Sequence, residues 1–479
     1  MKINATYILL LLLAGLAYTS CKKDQTLTTG GTIKFSVDTL MFDTVFTAQG
    51  SFTNSFKIYN PQNEKVVISS VRLQHGGTSY FHLNVDGFAG TTATNITIQP
   101  HDSIYVFATV NIDPKDKNTP YVVEDSFIAI MNGKSFVLPF RAYGQDAIYI
   151  VDSVLPANYI FDNVRPYVII HGAEVAPMQK VTIKGGAHIY MHQDSWLYVL
   201  GTLIATGATK NDSITFQGDR TDRFYFGYEG YPGEWGGIYF APNSKGSVLD
   251  HVILLNCGNT PPGGGPNAGI YVAIDSQHDA SNPQLTLRHT IVQNSIGYGL
   301  LSLGGTVIAS NCLINNCTQQ ALGLVQGGSY TISNSTFATY SYTNNHVVHS
   351  DNGTLAVLNY YDTSQTGYIP GNMNATLTNC VFYGSLDNEV FFHAKTGGSY
   401  SVYVNNCLMK SVDTLPNSIL NLSGNILNQD PKFTDYTHFN YHPLAGSPLL
   451  NNGTLGTLPP FTDLDGNFVK NPPTIGCYQ

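Results

Sequence analysis

A short phrase recurs down the second half of this 479-residue chain: an apolar residue, a variable one, His or Asn, a small or β-branched residue, then more apolar residues. It reads Leu249-Asp-His-Val-Ile, Leu287-Arg-His-Thr-Ile, Ala309-Ser-Asn-Cys-Leu, Ile332-Ser-Asn-Ser-Thr-Phe, Leu377-Thr-Asn-Cys-Val-Phe and Val404-Asn-Asn-Cys-Leu. From one His/Asn slot to the next the steps are 38, 22, 23, 45 and 27 residues. A period near 22, built of short strands and polar turns, predicts a solenoid of β-coils, because one coil alone cannot bury its apolar face. The 45-residue step reads as two turns. One His or Asn per coil at a bend, stacked and satisfying turn backbone groups, accounts for the slot without any ligand. One slot earlier, Asp250 and Arg288 are expected to face each other as a solvated ion pair, contributing about 0 to 1 kcal/mol.

Upstream, residues 33–144 show short strands separated by turn residues and no helical period, as in Phe56-Lys-Ile-Tyr and Ile104-Tyr-Val-Phe-Ala-Thr-Val. That spacing predicts an antiparallel sandwich, immunoglobulin-like only in the loose sense because the Cys-Trp-Cys core signature is missing. After a joint at Gly144-Gln-Asp-Ala-Ile-Tyr-Ile-Val the chain turns every few residues, with Gly at corners: Val181-Thr-Ile-Lys-Gly-Gly, Leu197-Tyr-Val-Leu-Gly-Thr-Leu and Trp235-Gly-Gly-Ile-Tyr-Phe. This series resembles the opening coils of right-handed parallel β-helix proteins, and with the later repeats the resemblance covers about residues 148–479. Asp430-Pro-Lys-Phe, Pro443-Leu-Ala-Gly-Ser-Pro-Leu, Thr462-Asp-Leu-Asp-Gly-Asn and Thr474-Ile-Gly-Cys-Tyr resemble the closing motifs of exported bacterial β-helix proteins, including the choice-of-anchor Q family. That resemblance implies a segment closing the solenoid, which a bare last coil requires. The expected fold is all-β: an immunoglobulin-like β-sandwich over 33–146, then a right-handed parallel β-helix over 147–479 with a C-terminal cap from about 430.

The N-terminus reads as an export signal: Lys2 supplies positive charge, and the apolar run 8–17 is short for a bilayer span. Tyr18-Thr-Ser-Cys21-Lys-Lys-Asp resembles the lipobox of Bacteroidota-type exported lipoproteins, with Tyr18 departing from the usual pattern. The resemblance implies a signal peptide over 1–20, lipidation (palmitate) of Cys21 and a tether over 21–32. The protein would then be an outer membrane lipoprotein, on the cell surface or the periplasmic face. Asp43-Thr-Val-Phe-Thr with Phe56-Lys-Ile-Tyr-Asn-Pro resembles the N-terminal sandwich modules of such lipoproteins, which implies a spacer or docking platform. A formal net charge of −9 and the lack of a Lys/Arg stripe argue against a nucleic-acid partner. Cys312, Cys380 and Cys407 share one slot and read as a buried column, with a Cys380–Cys407 bridge left open. Cys257 and Cys317 share another slot two phrases apart, beyond disulfide reach.

Three segments invite a chemical reading. His188, Tyr190 and His192 alternate along one strand, with Asp194 continuing the face; two imidazoles and a carboxylate suit a divalent metal, but no further ligand is evident and none is expected. Asp463-Leu-Asp465-Gly-Asn467 resembles an oxygen-rich calcium loop without the rest of its ligands, so a turn is expected there and calcium is the one cofactor left open. The loop 218–235 gathers Arg220, Arg223, Tyr225, Tyr228, Glu229 and Tyr231 beside Trp235, a set whose aromatic faces and polar groups suit sugars. Its alternative is a loop whose tyrosines pack on the solenoid flank with Trp235 buried. No catalytic residues are identified: paired-carboxylate, lyase, nucleophile-elbow and zinc motifs are all missing. The function expected is non-catalytic binding of a glycan or surface partner. The alternatives are a polysaccharide lyase or glycoside hydrolase acting in the β-helix groove, and a structural adhesin or stalk.

Overall fold

The structure is a computed structural model that describes residues 25–46, 51, 53–112, 121–220, 230–340, 347–349, 352–363, 367–455 and 462–479. Cys21 lies outside them. The chain divides into two compact units, the first ending at Asp146 and the second beginning at Ala147.

The first unit is a β-sandwich of two five-stranded sheets. Along Asn54–Tyr59 burial alternates strictly, the pattern of a strand with one face on a core. Its Phe56 meets Phe127 of the other sheet edge-on, with ring centroids 5.1 Å apart. The expected antiparallel pairing holds with one exception, since Leu40–Phe46 runs parallel to Lys134–Gln145.

The second unit is a parallel β-helix with three faces. The first is a ten-stranded sheet from Ile160–Phe161 to Leu420–Ser423. The other two share an eighteen-stranded sheet and are continuous only at its start, where Tyr167–Val175 pairs with both His188–Met191 and Leu197–Val199. The second face then runs through Ile214–Gly218 and Val252–Leu255 to Ile426–Leu427, and the third through Ile238–Phe240 and Ala268–Val272 to Val390–His393. Inward side chains form one continuous core from Ile150 to Leu420. Each fully buried Leu, Ile, Val or Phe in it contributes roughly 1.5–3 kcal/mol of transfer free energy.

The His/Asn slot is the corner between the first and second faces. His251, His289, Asn311, Asn334, Asn379 and Asn406 all have φ between 43° and 55°, the left-handed region that Asn and His tolerate better than most residues. Five residues further on, Asn256, Asn294 and Asn316 form a second left-handed corner. There the Asn294 carboxamide donates to that of Asn256, and Asn316 Nδ2 donates to Asn294 Oδ1 at 2.9 Å. The 45-residue step between Asn334 and Asn379 is one coil and not two, since Ile332 and Leu377 are direct register partners. Its extra length includes an outward hairpin, Tyr360–Thr363 paired with Gly367–Pro370.

The cysteines are packing residues. Cys312, Cys380 and Cys407 lie in one internal column, with Ser335 between the first two: Cys312 N–H donates to Ser335 Oγ at 3.0 Å and Cys380 N–H to Cys407 Sγ at 3.3 Å. All six cysteines among the described residues are free and buried. Cys257 and Cys317 are separated by Ser295, the register partner of Cys317.

The segment expected to cap the last coil runs back along the flank as a strap. Asn406 Nδ2 donates to Asn452 O at 3.4 Å, Asn379 Nδ2 to Thr454 O at 2.7 Å and Asn311 Nδ2 to Thr462 O at 2.5 Å. As the tail advances it therefore climbs the His/Asn corner toward earlier coils. Phe433, Tyr441, Leu449, Leu464, Ile475 and Tyr478 of the strap pack on Leu313, Val381 and Leu408, covering the outer side of the second face from Ile291 onward.

Candidate functional site

Where the strap covers the later strands of the second face, the third face offers an aromatic outer surface. Tyr198, Tyr239 and Tyr271 are register partners on successive coils. Each stands between two inward residues, Leu197 and Val199, Ile238 and Phe240, Ile270 and Val272, so strand alternation points all three tyrosines outward. The Tyr198 and Tyr239 centroids are 6.1 Å apart at 71°, and those of Tyr239 and Tyr271 are 5.2 Å apart at 51°. The column continues through Leu301, Gly323, Ala356 and Phe391. Gly323 sits in a tight place: a Cβ there would lie 3.1 Å from the Tyr298 ring, which would have to shift to admit it.

At Leu301 the column meets a groove of about 570 Å³. Leu301, Leu303, Val325 and Leu358 give it an apolar side; Gly265, Pro266 and Asn267 form part of one wall, and Tyr360, Tyr361 and Asp362 of the outward hairpin part of the lining. Lys395 Nζ reaches Asp362 Oδ1 at 2.5 Å and sits 3.9 Å above the Tyr360 ring and 4.7 Å from that of Tyr368. The hydrogen bond that Lys395 donates to Asp362, helped by the charge of that carboxylate, holds the ammonium above its ordinary range against the opposing effect of desolvation. Burial raises the Tyr198 and Tyr239 phenols and pushes Tyr271 up to about 12, so all three remain neutral hydrogen-bonding groups at neutral pH. Half-buried aromatic rings beside amide, hydroxyl and paired charged groups match the CH faces and hydroxyls of sugars.

Glycoside hydrolysis requires two carboxyl groups about 5 to 9.5 Å apart. Among the described residues lining the groove Asp362 is the one carboxylate, and Lys395 already engages it.

Of the sequence-predicted set, Arg223, Tyr225, Tyr228 and Glu229 lie outside the described residues. Arg220 is exposed, and Tyr231 is half-buried with its N–H donating to Glu234 Oε1 at 3.0 Å. Trp235 is fully buried, stacks on Phe216 at 6.1 Å and donates through Nε1 to Leu255 O at 2.8 Å, so it is a core residue and not a ligand contact. This segment joins a second-face strand to a third-face strand, as the groove wall at Gly265–Asn267 does in the next coil. The tyrosine column was missed, although it had a signal: Leu197-Tyr-Val, Ile238-Tyr-Phe and Ile270-Tyr-Val each place one Tyr between inward apolar residues.

The other chemical candidates separate into pairs. His188 contacts Thr215 Oγ1 at 2.7 Å, His192 contacts Asp219 at 2.7 Å, and Asp194 pairs with His171 at 2.5 Å, so His188, His192 and Asp194 do not converge. Asp463 accepts from the backbone N–H groups of Asp465, Asn467 and Gln479, as a turn residue does, while Asp465 pairs with Lys210 and His442. Asp250 and Arg288 are register partners, but their closest approach is 3.8 Å. Asp250 is mostly buried, with the nearer partners His251 at 2.9 Å and His289 at 3.0 Å. Burial alone would raise its carboxyl; the two imidazoles outweigh that and hold it well below the usual carboxylate range.

No family model matches the chain, and no curated protein matches it. A solved structure of a family 123 glycoside hydrolase from Clostridium perfringens, described for glycolipid glycan hydrolysis, matches at 8% identity over 25% of this chain and 26% of that one, with a TM-score of 0.18. A likeness at that score carries no argument about fold or activity. No helix among the described residues is long and apolar enough to cross a membrane.

Proposed function

We propose that this parallel β-helix protein binds a glycan in the groove of its third face without cleaving it. The observation that carries the reading is the outward column Tyr198, Tyr239 and Tyr271, leading to a groove edged by Tyr298, Tyr360 and Tyr361. Affinity would come from several weak ring–sugar and hydrogen-bond contacts on a rigid surface, with little ordering entropy to overcome. The single, salt-bridged carboxylate among the described lining residues favours binding over the alternative of a lyase or hydrolase. The proposal includes the anchor: export, lipidation at Cys21 and attachment to the outer membrane, with the sandwich as spacer. A screen of polysaccharides for retention and for new reducing or unsaturated ends tests it. Retention with unchanged polymer is the expected result, new ends would make the protein an enzyme, and no retention would leave a stalk or adhesin.

A further inference from the structure

The His/Asn corner contains one place where three metal-binding atoms meet. Asp250 ends a first-face strand, His251 follows it at the corner, and His289 occupies the same corner one coil later. Asp250 Oδ1 is 2.9 Å from His251 Nδ1 and 3.0 Å from His289 Nδ1, and the two imidazoles stack with centroids 4.4 Å apart at 18°. We propose that Asp250, His251 and His289 bind a divalent transition metal of the zinc class, and that this ion fastens the C-terminal strap to the coils.

Three observations support the site independently of one another. The first is proximity: the three donor atoms all lie within 4.8 Å of one another, so small turns of the two stacked rings bring them to the separation of about 3.4 Å that tetrahedral ligands on one ion require. The second is an unsatisfied atom. His251 Nδ1 is buried and makes no hydrogen bond of good geometry, although it lies 2.9 Å from Asp250 Oδ1. A buried imidazole nitrogen without a partner is costly, and an ion at the shared focus would satisfy it. The third is the outer shell: His289 Nε2 faces Thr462 O at 3.3 Å, and a backbone carbonyl is the usual acceptor for the second nitrogen of a metal-bound histidine. In the metal-free protein His289 Nδ1–H can donate to Asp250. In the metal-bound form Nδ1 gives its lone pair to the ion and the ring proton sits on Nε2, donating to Thr462. For a neutral ring this is a change of tautomer with no net proton release.

The chemistry selects the metal class. Two imidazoles with one carboxylate favour zinc, cobalt or nickel over calcium and magnesium, which prefer oxygen ligands. Arg288 stands 3.8 Å from Asp250 Oδ2 and leaves Oδ1 to the ion. Thr462 also accepts from Asn311, so a tighter His289–Thr462 contact would hold the strap across two coils.

Equilibrium dialysis of the chain from Lys22 against Zn²⁺, with metal counted by mass spectrometry, tests the site. One bound equivalent is expected in the wild type and in His438→Gln, an exposed control, with at least tenfold weaker binding in Asp250→Asn and His289→Gln. Co²⁺ loading of the wild type needs no variant to fold: visible d–d bands without a sulfur charge-transfer band are expected. Zn²⁺ should also slow proteolysis of the strap in the wild type and leave it unchanged in Asp250→Asn. No stoichiometric binding, a thiolate charge-transfer band, or undiminished binding in folded Asp250→Asn would overturn the proposal.

Discussion

The Asn379 side chain clasps Thr454 through both backbone groups, accepting from its N–H at 2.9 Å and donating to its carbonyl at 2.7 Å. A carboxamide held at a left-handed corner thus does for the strap what a neighbouring strand would do. Replacing Asn379 by Ala removes both contacts and puts at φ 55° a residue that tolerates the left-handed region less well than Asn, for a combined loss of about 2 to 4 kcal/mol. Gly at the same position keeps the backbone and loses only the clasp. Denaturant unfolding should therefore rank wild type above Asn379→Gly above Asn379→Ala; equal stability of all three would show that the clasp contributes nothing.

Acid should destabilise the coils through Asp275. Its buried carboxylate accepts from Lys245 Nζ at 2.6 Å and Thr306 Oγ1 at 2.6 Å. Burial opposes ionisation, but these bonds outweigh it and lower the group below its ordinary value. A depressed folded pKa contributes stability that is fully present above the unfolded value of about 3.9 and is lost as pH falls through the folded value. Urea midpoints should fall below about pH 4 in the wild type, and less steeply in Asp275→Asn. Identical slopes would assign acid sensitivity to other groups.

The thiols should be silent. Cys257, Cys312, Cys317, Cys380, Cys407 and Cys477 are buried, and burial pushes the Cys257 and Cys312 thiols up to about 12. An aromatic disulfide reagent should label none of them in the native chain from Lys22 and all six after unfolding in urea. Rapid native labelling would mean that the coils open locally.

Gly236 should tolerate no side chain. A Cβ there would lie 2.0 Å from Trp196 Nε1, and Trp196 is itself buried. Gly236→Ala should cost about 1 to 3 kcal/mol or more through overpacking, read as a lowered Tm. An unchanged Tm would show that the third face can repack beside the tyrosine column.

The parallel coils were legible in the sequence because the corner is chemically special: a left-handed residue must recur once per coil, and His251 to Asn406 record it. The coil count was less legible, because Asn334 and Asn379 bracket an insertion that spacing alone reads as an extra turn. The strap was hidden for a similar reason. Its motifs were visible as a closing segment, but its contacts with Asn311, Asn379 and Asn406 span long sequence separations. The site was the least legible part. A cluster of tyrosines close together in the chain drew attention to residues 218–235, whereas Tyr198, Tyr239 and Tyr271 are brought together only by coil register. Asp250, His251 and His289 likewise meet across one coil, and a linear reading saw an ion pair with Arg288.

The most direct test of glycan binding on the third face is a comparison of wild type and Tyr239→Ala/Tyr271→Ala by calorimetry on whichever polysaccharide the wild type retains, with sugar ends counted in the same samples. The double variant should bind at least tenfold more weakly at unchanged Tm, and neither protein should produce new ends. Undiminished binding by the double variant would place the ligand elsewhere, and new ends from the wild type would contradict a purely binding role.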